Sequence, residues 1–282
     1  MQFYRSNFRK SLAVVVGAIA VMISFSFSNV SSASLSAAEK SLGNTFDGAV
    51  AAFSQRSAAN PAPIEEALLI LKGLENKSDD ADLNYDVFIL EARAYYWKGL
   101  HAVTDKEKMV LHELGQNSAE AAKTLNDGYA EAYYFAGINL ARWGEANGVI
   151  QSLFKKDQLM KYMNDAMNRP SREGQAGESI DGYGPDRTLG RIYFKLPSMF
   201  GGSHPQSVNF LKKSLEDNTY PVPLSVVYYA ETLSNGSTAE IALAKKLLDE
   251  LLSQDPSTIN PARIPENLEE FEQAKQLRAK IR

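Results

Sequence analysis

The sequence predicts an all-α protein built as an array of helix pairs. Three observations carry this prediction. Nearly every stretch after residue 45 spaces its apolar residues at the helical period, alternating runs bounded by tight turns are close to absent, and one packing pattern recurs four times. Of the 282 residues, 44% are hydrophobic and none is cysteine, so a sizeable core is within reach without disulfides. The lack of cysteine also excludes cysteine zinc sites, thiol catalysis and a lipid-modified cysteine.

Residues 1–38 read as a secretory signal peptide. Arg5, Arg9 and Lys10 precede an apolar stretch from Leu12 to Phe27, and a small polar run follows from Ser28 to Ala38. Ser31 with Ala33, or Ser36 with Ala38, fits the small-x-small rule for cleavage. The alternative is an uncleaved N-terminal membrane anchor, since the apolar stretch is near the lower length limit for a span. The serine interruptions and the small-residue exit favour cleavage. Both readings put residues 39–282 outside the cytoplasm, periplasmic or secreted, as a single helical-repeat domain with its clearest repeats over 83–256. The formal charge is −4; without the three leader cations, 27 basic residues face 34 acidic ones, a net charge of −7. An acidic chain with no basic block argues against nucleic acid and anionic membranes as partners.

The expected helices follow in order. The first spans 45–58. The second, 63–75, opens at Pro61 and Pro63, residues suited to a first turn because they lack an amide proton. The third, 83–101, follows a solvated start at Asp79 and Asp80 and ends near Gly99. Helix 104–124 offers Ala119 and Ala122 as packing positions, and helix 129–144 ends at Gly144. Helix 146–168 precedes the longest expected loop, a stretch rich in Gly, Ser and Arg that runs to Gly184. Pro185 then opens 185–196, with Asp186 at the positive end of the helix dipole. Pro205 opens 205–217, where Ser207 and Ser214 pack, and Pro223 opens 223–234. Helix 238–254 packs through Ala244, Leu248 and Leu251 and is stopped by Pro256. The last helix, 265–281, has acids early, including a solvated Glu269–Glu270 pair, and Lys275, Arg278, Lys280 and Arg282 late, which suits its dipole.

Ala92, Gly137, Gly190 and Ala230 each stand three positions before a large residue: Tyr95, Leu140, Tyr193 and Leu233 respectively. Two of these segments add an aromatic four positions upstream (Phe88, Tyr133) and a Gly seven downstream (Gly99, Gly144). Positions i, i+4 and i+7 share a helix face. A small residue there admits a neighbouring helix, and the large one fills the gap to the next pair. The pattern resembles the first helix of a tetratricopeptide repeat, which implies a tetratricopeptide-like array of about four divergent helix pairs plus flanking helices.

Residues 182–215 narrow the resemblance. Gly184, Pro185, Arg187, Leu189, Gly190 and Tyr193 form one helix motif. A turn at Pro197 and a Gly201–Gly202 loop follow, then a helix with Leu211, Lys212, Lys213, Ser214 and Leu215. This combination resembles the T-component family of TRAP transporters, which are periplasmic repeat proteins of tripartite uptake systems. The resemblance implies an extracytoplasmic solute-binding protein as partner and a groove or pore for a small apolar organic ligand. Members are often lipid-anchored at an N-terminal cysteine, which this chain lacks. The alternative is a general repeat scaffold for protein–protein interaction in the bacterial cell envelope, with no transport role; self-association into a homo-oligomer stays open.

Read from their chemistry, Gly184, Pro185, Leu189, Gly190, Gly201 and Gly202 are structural. Arg187 lies where a cation is mildly unfavourable. It either braces a carboxylate on the adjacent loop or faces a ligand; the brace is preferred, with Arg187 kept as a ligand candidate. Adjacent aromatics on a helix point about 100° apart and cannot all fill one seam, so Tyr134, Trp143 and Tyr193 are candidates for a lined groove. No nucleophile elbow, phosphate loop, dinucleotide fingerprint or zinc-protease motif occurs. His101, His112 and His204 read as surface histidines without metal-ligand spacing. No cofactor, no metal and no catalysis are expected.

Overall fold

A computed structural model describes residues 37–216 and 222–281; the expected leader, 1–38, lies outside the described residues except for Ala37 and Ala38. Among the described residues, twelve α-helices run in order: α1 Ala37–Ser54, α2 Ala62–Leu74, α3 Ala81–Leu100, α4 Asp105–Leu125, α5 Ala130–Asn147, α6 Lys156–Met167, α7 Ile180–Lys195, α8 His204–Glu216, α9 Pro223–Leu233, α10 Thr238–Leu252, a short α11 Pro256–Ile259, and α12 Ile264–Lys280. No strand occurs among the described residues, only isolated bridges at Ser57–Asn60 and Pro170–Ala176. None of these helices is long and apolar enough to cross a membrane.

The helices pack as successive pairs: α1 with α2, α3 with α4, α5 with α6, α7 with α8, and α9 with α10. Each second helix packs on the first helix of the next pair, and each first helix also meets the next first helix. This nearest-neighbour order is that of a helical repeat array. The pair α1–α2 joins the repeats seen in sequence as a fifth, and α12 covers the end by packing on α9 and α10.

Small residues set the spacing. A Cβ on Gly190 would lie 2.5 Å from Leu211 Cγ of α8, and one on Gly137 would collide with Met163 of α6. Ala92 and Ala230 are fully buried. The large members Tyr95, Leu140 and Leu233 are buried with them, while Tyr193 is partly exposed and stacks on Phe210 with centroids 5.7 Å apart. The positions assigned to second helices, Ala119, Ala122, Ser207, Ser214, Ala244, Leu248 and Leu251, are all buried. Helix starts also follow local chemistry. Thr104 with Glu107, and Ser237 with Glu240, form reciprocal capping boxes at α4 and α10.

Four expectations are corrected. Helix α1 begins at Ala37, ahead of the apolar period, because Glu39 accepts hydrogen bonds from the Ser78 hydroxyl (2.5 Å) and the Asp79 amide (3.0 Å) and so ties the first turn to the α2–α3 connection. The stretch 148–155, expected to belong to helix 146–168, is instead a connection between α5 and α6, since Gly148 turns to φ 95° and ends α5 at Asn147. His112 is not a surface residue: it is 1% exposed, fills the space left by Gly99, and meets Asn139 Oδ1 at 3.2 Å. Burial pushes its pKa down to about 4. Glu270, expected to be solvated, is buried.

The tight α7–α8 seam gives a stability prediction. Gly190→Ala places a methyl against Leu211 and should cost about 1–3 kcal/mol in urea unfolding. Gly43→Ala, in α1 with nothing near its added methyl, should be neutral or stabilising by up to about 1 kcal/mol. Equal effects of the two substitutions would contradict the packing.

Candidate functional site

The polar centre of the array starts from a break in α7. Asp181, Gly182 and Tyr183 all adopt left-handed backbone angles, with φ of 50°, 59° and 58°. Each non-glycine residue in that region costs roughly 1–2 kcal/mol, so the turn needs support. Arg187, one turn into the following helix, supplies it. Its guanidinium donates to the carbonyls of Asp181 (3.1 Å from both Nη1 and Nη2) and Gly182 (3.0 Å), to Ser225 Oγ of α9 (3.3 Å), and to the Asp181 carboxylate (2.7 Å). Gly184 leaves room for Tyr134, whose ring carbon Cζ would stand 2.5 Å from an added Cβ. The Tyr134 hydroxyl donates to Asp181 at 2.6 Å. Pro185 sits in the first turn after the break, where its missing amide proton costs nothing.

Asp181 also accepts from Arg263 Nη1 (2.5 Å), just before α12, and Arg263 bonds Glu270 Oε1 at 3.0 Å. Burial alone would push the Asp181 carboxyl up, but Arg263, Arg187 and the Tyr134 hydroxyl hold it below the usual carboxylate range. For Glu270, burial prevails over Arg263 and Arg187, and its pKa is raised. Arg56, after α1, closes the circle with two bonds to Glu266 (2.9 and 2.7 Å) and one to the Ala262 carbonyl. His101, after α3, meets Glu269 at 2.8 Å.

The first helices of successive pairs supply the rest. Arg142 of α5 donates to Tyr96 of α3 (3.3 Å), to Tyr228 of α9 (3.0 Å) and to Glu145 (2.7 Å). Arg191 of α7 pairs with Glu231 of α9 and lies 4.2 Å over the Tyr228 ring. Arg93 of α3 lies 5.1 and 5.7 Å from the ring centres of Phe53 and Phe135. Arg93, Tyr96, Arg142, Asp181 and Arg263 are each half-buried. With the buried Arg56 and Arg187 they form a polar cluster that is rich in arginine although the chain is acidic.

Of the residues nominated from sequence, Tyr134 and Arg187 come together, with 3.3 Å between hydroxyl and guanidinium. Arg187 acts as a brace on the loop, and the aspartate it holds is Asp181. Trp143 stands edge-on to Phe154, and Tyr193 stacks on Phe210; neither bonds to the polar cluster. Leu189 is buried, and Gly201 takes φ 94° in a turn where a Cβ on Gly202 would strike the Leu196 carbonyl. Sequence reasoning missed Arg93, Arg142, Asp181, Arg191, Arg263, Glu266 and Glu270. A usable signal existed for two of them: Arg93 and Arg191 directly follow the small packing residue of their repeats. Asp186 is fully buried, and neither of its carboxylate oxygens has a hydrogen-bond partner among the described residues. Burial raises its pKa to about 7. Among the described residues, no group of three His, Cys, Asp or Glu could hold a metal ion. No model of a known protein family and no curated protein matches this chain.

Two outcomes are expected. Arg187→Met should cost about 3–5 kcal/mol in urea unfolding, because it leaves buried carbonyls and part of Asp181 without a donor; Arg187→Lys, lacking the fork, should not restore it. Asp186 titrates near 7 in the folded chain against 3.8 ordinarily. Its penalty is thus absent below the ordinary value, grows as pH rises between the two, and is complete above 7. Asp186→Asn should then raise stability by about 2–4 kcal/mol at pH 8 and by little at pH 4. Urea titrations at both pH values check this, and an equal effect at each would exclude the assignment.

Proposed function

We propose that this chain is a periplasmic binding protein of the TRAP T-component type, which holds a small organic ligand in its interior recess and associates with an extracytoplasmic solute-binding protein. The observation that carries the reading is the arginine-rich polar cluster, which we take to line that recess. The first helices α3, α5, α7 and α9 bring these side chains together, and the segment 182–215 on which the family resemblance rests supplies Arg187 and Arg191 to them. The packing order, each first helix against its own second helix and against the next first helix, supports the tetratricopeptide-like form. The role is binding, with no catalytic step.

A second observation bears on the partner. Ile150 and Phe154 in the α5–α6 connection and Met199 in the α7–α8 connection are exposed. Lys156 Nζ joins the two regions by donating to the Phe200 carbonyl at 3.4 Å. Exposed apolar groups of this kind suit a protein partner. A general envelope scaffold with no transport role would use the same surface, and the two readings separate on what is captured.

Cross-linking and affinity capture of the exported chain from its own envelope should return a solute-binding protein. The double substitution Phe154→Ser and Met199→Ser should reduce recovery about tenfold, a loss of roughly 1.4 kcal/mol. Capture of other envelope proteins in place of a solute-binding protein would replace this reading with the scaffold.

A further inference from the structure

An oxidant meets few sulfur targets on this chain. There is no cysteine, so no thiol competes, and the methionine thioethers are the sulfur that remains. Met1 and Met22 belong to the expected leader. Met163 is fully buried against Gly137. Met109, Met160 and Met167 are half-buried, the last two packed on the core around Tyr134 and Leu189. Met199 is 80% exposed, the one exposed methionine among the described residues.

Its exposure is built into the backbone. Met199 sits in a single 3-10 turn, Ser198–Phe200, after α7. The Pro197 carbonyl accepts from the Phe200 and Gly202 amides (2.9 and 3.0 Å), the Ser198 carbonyl from the Gly201 amide (3.0 Å), and the Tyr193 carbonyl from the Ser203 amide (3.0 Å). A turn bonded this fully holds the thioether out in solvent. The same turn carries Phe200, whose carbonyl Lys156 ties to the connection bearing Ile150 and Phe154. Met199 thus stands in the exposed apolar surface, where an unbranched thioether adapts well to a partner.

We infer that Met199 is the oxidation site of this chain, and that a peroxide acting there turns off the docking surface to which it belongs. The sulfur attacks one peroxide oxygen. An S–O bond forms as the O–O bond breaks, and sulfur gives up two electrons. With hydrogen peroxide, the departing hydroxide takes the proton from the new S–OH and leaves as water. The product is a sulfoxide, a polar acceptor on a surface that must shed water to bind. Methionine sulfoxide reductases reverse the step. The regulatory half deepens the docking surface proposed above and rests on it; the selectivity of the oxidation does not.

Peptide mapping by mass spectrometry after graded hydrogen peroxide tests the selectivity on the exported chain alone. Met199 should gain one oxygen on the order of tenfold faster than any other methionine outside the leader, since susceptibility follows exposure. Equal or faster oxidation of Met109, Met160 or Met167 would overturn the site and leave the docking surface standing. Affinity capture of the solute-binding protein tests the consequence. Peroxide should lower recovery about tenfold, the scale of burying one polar group without a partner, and reductase treatment should restore it. In Met199→Leu, whatever its starting recovery, peroxide should change nothing. The oxidised chain should unfold at an unchanged urea concentration, because Met199 lies outside the core. A lowered urea midpoint, or an equal peroxide effect in Met199→Leu, would trace the loss to another methionine and overturn the assignment. Full recovery with oxidised Met199 would end the regulation while the capture itself still supports the docking surface. If neither form captures a solute-binding protein, the docking surface falls and the regulation with it.

Discussion

The carboxylate of Asp181 is the constraint on which the rest of the arrangement depends. It belongs to a left-handed turn that the chain would not adopt unaided. It joins three distant parts of the array: Tyr134 on α5, Arg187 at the start of the helical part of α7, and Arg263 before α12. Burying one acid among these partners is tolerable because the charges match and each carboxylate oxygen has a donor. The turn in return aims α7 so that Arg191 reaches α9, and it gives the last helix a fixed point to dock on.

A repeat array is ordinarily held together by contacts between neighbours, with stability adding up along the chain. Here the final helix departs from that pattern. Its first two turns meet Arg56 from the end of α1 and His101 from the end of α3, across sequence separations of 210 and 168 residues. Such contacts convert a one-dimensional stack into a closed body, and they bring the first helices of the pairs around a common interior. Charged groups gather there while the outer surface stays acidic. The interior is thus electrically unlike the surface, a difference that net charge alone conceals.

The glycine and proline positions have different parts in this arrangement. Gly184 and Gly190 are small because Tyr134 and Leu211 occupy the space beside them. Gly201 is there for its backbone, and Pro185 for its place after a break. The motif that suggested a family by its residues is, in physical terms, a device for seating one tyrosine, one arginine and one helix. Its conspicuous arginine is spent on the fold. Arg93, in another repeat, has no ion pair among the described residues and lies over the rings of Phe53 and Phe135.

Local chemistry determined most of what was legible beforehand. Helical period, prolines at first turns and small residues three before large ones located the helices and the buried packing positions, because these depend on neighbours three or four residues away. Where it failed, the deciding partner was far off in sequence. His112 is buried because Gly99 and Asn139 accommodate it, and Glu270 is buried because Arg263 and the Leu224 amide meet it; both looked like solvated residues in their own segments. Arg93 stood within a helix whose apolar residues are spread over all its sides, a pattern that implies burial all round, yet nothing near it in sequence told whether a carboxylate would reach it. The sequence by itself determined an all-helical chain of packed pairs. The closure through α12 and the ring of matched charges were decided by tertiary structure, since ion pairs between residues tens to hundreds of positions apart leave no periodic trace in the chain.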